Sequence, residues 1–192
     1  NGRGNIGDFD PRYPGLEVFS FYGMYNAKTN KEVAPDVSAL WPSNNIYWDG
    51  TLIPACYHQT TINKWNYKTE KTDRLLTAYK VYKDVYGVDP TVDETFPLFH
   101  GDIIGDWREE FILSTPEWDH LVIYTTDIET DHRITSLSQD PGMRSSMSLN
   151  GYKQSHMTLT YMGSDMDIKH ERDYLKKYLE KRALKSYNDD GK

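Results

Sequence analysis

The chain has 192 residues and a formal net charge of −7, and 38% of its residues are hydrophobic. This acidic balance argues against a nucleic-acid partner, because phosphate binding needs a concentrated positive surface. The single cysteine, Cys56, excludes an internal disulfide, and no segment approaches the length of a membrane span. The 15 Tyr, 6 Phe and 5 Trp residues are typical of a β-rich protein.

Short strands separated by turns are predicted along most of the chain, so the predicted class is all-β. The predicted strands, in chain order, cover residues 16–22, the two halves of 24–33, 62–66, 75–79, 111–114 and 121–125. A longer turn is expected between the strands at 62–66 and 75–79. Strands at this spacing are typical of a β-sandwich or a β-propeller.

Two acidic loops of matched layout precede strands. In each, Gly-Asp opens the loop, a second Asp follows, and a Glu stands where the strand begins. Such spacing suits calcium, which prefers several oxygen ligands in a flexible cage. The predicted ligands are Asp8, Asp10 and Glu17 in the first loop and Asp102, Asp106 and Glu110 in the second. Glu109 could replace Glu110, because adjacent strand residues point to opposite faces. The alternative is that these carboxylates only accept backbone hydrogen bonds within turns.

The repeated loop-to-strand unit favours propeller blades over a sandwich. After Gly163 the composition changes, and residues 169–185 are charged, lack Gly and Pro, and have apolar residues near helical spacing. We therefore predict a partial β-propeller over residues 1–166, and an amphipathic helix with a frayed tail over residues 167–192. The helix is expected to pack on the outside of the last blade.

The segments GDFDPRYPGLEVF and GDIIGDWREEFILST resemble the signature loops of rhamnogalacturonan lyases of polysaccharide lyase family 11. The similarity continues through WPSNNIYWDG, TINKWN and NGYKQ, and it covers roughly residues 4–166. The resemblance implies an eight-bladed β-propeller, of which this stretch would supply about three blades from the C-terminal third. The remaining blades of the parent protein would then be a partner of this segment.

The resemblance also implies a function. Members of this family are calcium-binding enzymes that cleave pectic rhamnogalacturonan I by β-elimination, so the expected cofactor is calcium and the expected partner is the polysaccharide. Secretion or a periplasmic location is expected. The chain begins at Asn1 rather than Met, and we expect it to have been processed or cut from something longer, with any export signal outside it.

For the site, the resemblance implies an arginine, a lysine and a tyrosine. Arg12 and Tyr152 match the first and the third as catalytic candidates, and bidentate pairing with a uronate carboxylate is a natural role for Arg12. Ungapped counting places Glu94 at the lysine position, and Lys80 or Lys83 could substitute only if the loop is realigned. The expected substrate contacts are Glu94, Trp107, Arg108 and Asn150.

Two alternatives to the lyase remain open. A non-catalytic, calcium-stiffened carbohydrate-binding relative is favoured by Glu94, because a carboxylate would repel an anionic substrate. A protein-interaction propeller with similar acidic loops is the other. Both sugar-related hypotheses predict Trp and Tyr side chains exposed along a groove beside Arg12. His132 and Arg133 are interpreted as turn residues that hydrogen-bond backbone carbonyls.

Overall fold

Three antiparallel sheets follow one another along the chain. This computed structural model describes residues 3–87, 99–115, 118–148, 162–168, 177 and 180–181. Within these residues each sheet is an up-and-down meander, in which strands that are neighbours in sequence also pair in space. Short connections suffice for this order, which is the common arrangement of sequential antiparallel strands.

The first sheet consists of β1 (Asn5–Gly7), β2 (Glu17–Phe19), β3 (Met24–Asn26) and β4 (Glu32–Ala34). The second consists of β5 (Asn44–Ile46), β6 (Ala55–His58), β7 (Thr61–Asn66) and β8 (Lys71–Thr77). The third consists of β9 (Phe99–Gly101), β10 (Glu110–Ser114) and β11 (Leu121–Tyr124). The helical elements are the 3-10 helices Ser38–Leu40 and Leu137–Gln139, and the α-helices α1 (Ala78–Tyr86) and α2 (Pro141–Ser148).

The second sheet is covered on both faces. Along β6, Cys56 packs in an apolar cluster shared with the first sheet, whereas Ala55 and Tyr57 pack in a cluster shared with the third. Adjacent residues of a strand point to opposite faces, so this alternation places one neighbouring sheet on each side. Burial of both faces explains why β6 is almost entirely apolar, because each side chain meets another sheet rather than water.

The outer faces of the first and third sheets are different, because apolar side chains on them reach solvent. On the first sheet, Ile6 and Tyr25 flank Val18 across three paired strands and are 41% and 37% exposed. On the third sheet, Leu121 and Ile123 are 65% and 52% exposed. Exposed apolar sheet faces of this kind are typical of surfaces that another element covers.

The connections sort into two ends of the sheets. The β1–β2 and β9–β10 connections are the acidic loops, and they share one end with the β5–β6 loop, the β7–β8 turn and the segment after β11. We call this the acidic-loop end. Contacts between Arg12 and Glu70, and between Gly50 and Thr130, join the sheets there. The opposite end carries the β2–β3, β4–β5, β6–β7 and β10–β11 connections.

Most predicted strands are confirmed, although several are shorter than predicted. The halves of 24–33 form β3 and β4, and residues 111–114 and 121–125 contain most of β10 and β11. The described part is mainly β-sheet, which agrees with the all-β class. In this part of the chain no helix is long and apolar enough to cross a membrane.

The prediction of a strand at 75–79 after a longer turn is confirmed for residues 75–77, but it was wrong about residues 78 and 79 and about the length of the turn. The strand β8 already begins at Lys71 and ends at Thr77, and α1 begins at Ala78. Ala78 and Tyr82 are both buried and lie one helical turn apart, which gives α1 an apolar stripe. The predicted helix at 169–185 lies almost wholly outside the described residues. Within that range the structure describes residues 177, 180 and 181, and all three are helical.

Candidate functional site

A glutamate at the start of a strand closes each acidic loop. In the first acidic loop (residues 8–16), Glu17 Oε2 accepts hydrogen bonds from the backbone N–H groups of Phe9 and Asp10, at 3.0 and 3.1 Å. In the second acidic loop (residues 102–109), Glu110 Oε2 accepts the N–H groups of Ile103 and Ile104, at 2.9 and 3.0 Å. The two loops, which share a layout in sequence, therefore also share a hydrogen-bond geometry: in each, one glutamate oxygen accepts two consecutive backbone N–H groups.

The choice between Glu109 and Glu110 is decided by the register of β10. Glu110 faces the loop, whereas Glu109 points to the opposite face, where its Oε2 accepts the N–H of Tyr47 at 2.8 Å. Both glutamates are fully buried. Glu109 thus links the third sheet to the second, and Glu110 is the counterpart of Glu17.

An Asp-x-Arg unit recurs in both loops. Asp10 accepts hydrogen bonds from Arg12 Nε at 2.9 Å and Nη2 at 2.7 Å, and from the Arg12 backbone N–H at 3.1 Å. Asp106 accepts the backbone N–H of Arg108 at 3.0 Å and pairs with its guanidinium. In each unit the arginine braces the loop through a fork-shaped contact with a carboxylate.

The two arginines differ in their remaining contact. Arg12 Nη1 lies 2.7 Å from Glu70 Oε1, and the Glu70 side chain is 63% exposed. Arg108 Nη1 instead donates to the carbonyl of Ile128, and the Arg108 side chain is only 14% exposed. Arg12 is therefore the more accessible of the two. Its Nε and Nη2 atoms are bound to buried Asp10, whereas its Nη1 atom contacts only the exposed carboxylate of Glu70.

The first aspartate of each loop reaches a segment that is distant in sequence. Asp8 Oδ2 accepts the N–H and the hydroxyl of Ser164, at 2.6 and 2.8 Å. Asp102 accepts the N–H groups of Gly105, Trp107 and Leu137. These contacts anchor both loops to the later part of the chain. Sequence reasoning did not foresee them, because Ser164 and Leu137 are distant in sequence and most of the donors are backbone groups.

Burial opposes the ionised form of several loop carboxylates. Burial raises the pKa of Glu17 to about 7 and also raises the pKa of Asp8, against the hydrogen bonds that each accepts. The pKa of Glu110 is raised for the same reason. Burial acts on Asp10 too, but the hydrogen bonds from Arg12 and Trp65 outweigh it and lower that pKa. Negative charge is therefore incompletely compensated at Asp8, Glu17 and Glu110.

The first loop offers an additional acceptor atom. Asp8 Oδ1 is buried and has no hydrogen-bond partner in the described part of the chain. In the second loop, by contrast, each oxygen of Asp102, Asp106 and Glu110 accepts a hydrogen bond. Among the described residues no group of three or more His, Cys, Asp or Glu side chains is arranged to hold a metal ion.

Trp107 and Trp65 are both buried, with 1% and 3% of their surface exposed. The Trp107 indole N–H donates to the carbonyl of His132 at 3.2 Å, and that of Trp65 donates to Asp10 Oδ2 at 3.0 Å. Both rings therefore support the loops from within. Trp65 was missed as a site residue by sequence reasoning, because its partner Asp10 lies 55 positions away along the chain.

A buried lysine also fixes the acidic-loop end. Lys64 Nζ lies 2.6 Å from Asp49 Oδ2, with side chains 11% and 17% exposed, and it also donates to Thr51. Burial lowers the pKa of Lys64 despite the attraction of Asp49. Further along this end, Arg133 donates to the carbonyls of Thr130 and His132. This confirms that its side chain bonds backbone carbonyls, although the segment is irregular and not a turn.

The aromatic groove expected beside Arg12 does not appear among the described residues. Tyr13 is half-buried there, with its ring 5.8 Å from the Arg12 guanidinium carbon. The exposed tryptophans in this part of the chain are Trp41 and Trp118, and both lie at the opposite end of the sheets. The predicted site residues Glu94, Asn150 and Tyr152 lie outside the described residues.

Comparison with known proteins identifies the class of this chain as a rhamnogalacturonan lyase domain. The family model "Rhamnogalacturonan lyase family 11, C-terminal domain" matches residues 1–172. The rhamnogalacturonan endolyase YesW of Bacillus subtilis (strain 168) is 35% identical over 170 residues, which are 86% of this chain and 26% of that protein. The rhamnogalacturonan exolyase YesX of the same organism is 30% identical over 181 residues, covering 86% of this chain and 29% of that protein.

A solved structure agrees with these matches. The Bacillus licheniformis rhamnogalacturonan lyase PL11 is 32% identical with a TM-score of 0.69, over 86% of this chain and 27% of that one. The chain belongs to rhamnogalacturonan lyase family 11 and matches its C-terminal domain. It spans less than a third of the length of the relatives that it matches.

Proposed function

We propose that this chain is the C-terminal portion of a calcium-binding rhamnogalacturonan lyase that cleaves pectic rhamnogalacturonan I by β-elimination. The observation that carries the proposal is membership of the family, whose matched relatives are named as an endolyase and an exolyase of rhamnogalacturonan. The test is whether the whole parent enzyme releases unsaturated uronate from rhamnogalacturonan, measured by ultraviolet absorbance. A parent enzyme that binds the polysaccharide without producing any unsaturated product would contradict it.

The reaction sets clear demands on the site. A base must remove the C5 proton of a 4-linked galacturonate, the 4-oxygen must leave, and a cation must stabilise the charge that develops on the uronate carboxylate. Arg12 fits the cationic role, because Asp10 already orients its guanidinium. A substrate carboxylate would displace the exposed Glu70 from Arg12 Nη1. Tyr152 is the proposed base, and Arg108, Glu94 and Asn150 remain proposed substrate contacts. The expected contact of Trp107 with substrate was wrong, because its ring is buried and its indole N–H is bound to the His132 carbonyl.

A matched pair of variants tests the role of Arg12. Arg12→Gln should weaken binding of an oligogalacturonate by about tenfold or more, since a charge-assisted bidentate contact is lost. Glu70→Gln should leave binding unchanged or strengthen it, because it removes a competing carboxylate. If Arg12→Gln binds charged and neutral oligosaccharides as the unmodified chain does, Arg12 has only the loop-bracing role that it shares with Arg108.

Calcium is proposed at the first acidic loop before the second. Asp8 and Glu17 are buried with raised pKa values, and Asp8 Oδ1 has no hydrogen-bond partner among the described residues. A bound calcium ion would supply compensating positive charge and hold the loop rigid, with Asp8, Glu17 and Asp10 as its protein ligands. These three carboxylates are not arranged around a metal ion here, so binding would require Asp10 and Glu17 to exchange hydrogen bonds for the ion. Asp102, Asp106 and Glu110 are the corresponding set in the second loop, where each oxygen is already hydrogen-bonded.

Chelation provides the measurement for calcium. A ligand that binds only the folded state raises the melting temperature by mass action, so calcium should stabilise the chain and EDTA should reverse the effect. Asp8→Asn should abolish most of this response, whereas Asp102→Asn should retain it. A melting temperature that does not respond to calcium or EDTA would refute the site.

We further propose that the three sheets are about three blades of an eight-bladed propeller. The exposed apolar faces with Ile6 and Tyr25 on one side, and with Leu121 and Ile123 on the other, support contact with further blades. Export to the cell exterior or periplasm is part of this proposal, since the polysaccharide lies there. A structure of the parent protein in which either face stays in solvent would contradict the ring.

A non-catalytic carbohydrate-binding protein is the second candidate. Glu94 favours it, because a carboxylate where the family resemblance implies a lysine would repel a uronate. The substitution Glu94→Lys in the parent enzyme separates the two. A binder that gains elimination activity with this change would support the second candidate, whereas an unmodified parent that is already active supports the lyase.

A further inference from the structure

An exposed indole stands at the end of the sheets opposite the acidic loops. Trp41 follows the 3-10 helix Ser38–Leu40 and precedes Pro42, and its backbone is in the left-handed region with φ 59°. For a bulky residue this conformation is strained and persists only when the surroundings enforce it. The position of this ring is thus specified by the fold.

The ring is clamped from two sides and still reaches solvent. The ring of Phe21 meets that of Trp41 edge-on, with centroids 5.4 Å apart, and the His58 ring lies 4.9 Å away in a tilted arrangement. Even so, 38% of Trp41 is exposed. An aromatic side chain that is held in place and partly exposed loses little conformational entropy when a ligand packs on it.

A cation accompanies the ring. The guanidinium carbon of Arg3 lies 6.0 Å from the Trp41 ring centroid. Its Nη1 is enclosed without a hydrogen-bond partner, and no carboxylate in the described part of the chain lies within ion-pair distance of Arg3. In a chain of net charge −7 this uncompensated positive group is unusual, and it favours an anionic ligand.

We propose that Arg3 and Trp41 form a second carbohydrate-binding site, which takes a uronic-acid residue of a pectic chain. The apolar C–H face of the sugar ring packs on the indole, and its carboxylate pairs with the Arg3 guanidinium. The inference rests on the proposed function for the class of sugar. Because the site lies at the end opposite Arg12, it retains the polysaccharide without taking part in its cleavage.

The neighbouring groups are compatible with this ligand. Burial lowers the pKa of His58 to about 4, and the charge of Arg3 acts in the same direction, so the imidazole beside Trp41 is neutral at pH 7. The acidic loops lie at the other end, so their carboxylates do not repel the uronate. Asp36, on the same connection as Trp41, accepts a hydrogen bond from the N–H of Ser38.

Because Arg12 is also proposed to bind a uronate, calorimetric titration of trigalacturonate into the 192-residue chain carrying Arg12→Gln tests the site. Every variant below is made in that background, which serves as the unmodified chain in the comparison. Arg3→Gln and Trp41→Ala should each weaken binding by about tenfold or more, since hydrogen bonds to charged groups and stacked rings contribute that much. Trp41→Phe keeps a ring and should give an intermediate affinity. With galactotriose, which lacks the carboxylates, Arg3→Gln should have no effect.

Two controls match these changes. Trp118→Ala removes another exposed tryptophan, which is 62% exposed, and Lys31→Gln removes an equal charge from an exposed position at the acidic-loop end; neither should alter trigalacturonate binding. Near-UV circular dichroism checks that each variant is folded. Equal affinities of Arg3→Gln and the unmodified chain, or a chain that binds no trigalacturonate, overturn the site. Absence of elimination by the parent enzyme would count against the proposed function alone.

Discussion

The hydrogen bond from Trp65 to Asp10 offers the sharpest test of how the first acidic loop is held. The substitution Trp65→Phe removes the indole N–H that lies 3.0 Å from Asp10 Oδ2, in a place where Trp65 is 3% and Asp10 0% exposed. Losing a buried hydrogen bond to a charged group costs about 1.5–3 kcal/mol. The phenyl ring is smaller than the indole, and the cavity that it leaves adds about 1 kcal/mol to this destabilisation.

Trp107→Phe is the matched control. That residue is buried to the same degree, but its indole N–H donates at 3.2 Å to a neutral acceptor, the carbonyl of His132. A neutral hydrogen bond contributes only about 0.5–1.5 kcal/mol, while the volume lost is the same. We therefore expect Trp65→Phe to lower the free energy of unfolding by about 1 kcal/mol more than Trp107→Phe.

Urea denaturation followed by far-ultraviolet circular dichroism measures both variants, since fluorescence changes with every tryptophan removed. The denaturation midpoint should fall while the slope stays constant, because neither change alters the surface exposed on unfolding. If Trp107→Phe proves as costly as Trp65→Phe, charge-assisted bonding to Asp10 is not what holds the first acidic loop.

Three further predictions follow from particular contacts. Gly50→Ala should destabilise the chain by about 2 kcal/mol or more in thermal melts, because a Cβ added at φ +75° would lie 2.7 Å from Thr130 Cβ. Gly15→Ala is the control: its φ of +99° is also unfavourable for alanine, but nothing lies close to the added Cβ. It should therefore show only the smaller destabilisation that comes from the backbone conformation. Burial gives His58 a pKa of about 4 in the folded state, against 6.5 in the unfolded chain. Between these two pH values the unfolded state binds more protons, so the free energy of unfolding should fall as the pH drops from about 6.5 to 4. In denaturation measured at several pH values, His58→Gln should make that fall smaller. Ile123→Lys should reduce self-association of the isolated chain in analytical ultracentrifugation, because it places a charge on an exposed apolar sheet face; an unchanged sedimentation profile would show that this face does not associate.

The repeat of the acidic loops could be predicted from the sequence because the pattern is local. Gly-Asp, a second Asp and a Glu at the strand start lie within ten or so residues, and the same spacing places Glu17 and Glu110 over their own loop N–H groups. Paired strands with short turns were also predictable, for the same reason. Family membership follows from these contiguous motifs.

The roles of individual side chains were decided by tertiary structure. Whether Glu109 or Glu110 faces the loop depends on the register of β10, and an alternation of period two has no absolute phase until the strand is paired. The support of Asp10 by Trp65, and of Asp8 by Ser164, joins residues 55 and 156 positions apart. Contacts over such separations arise only when sheets stack, so sequence spacing carries no signal for them.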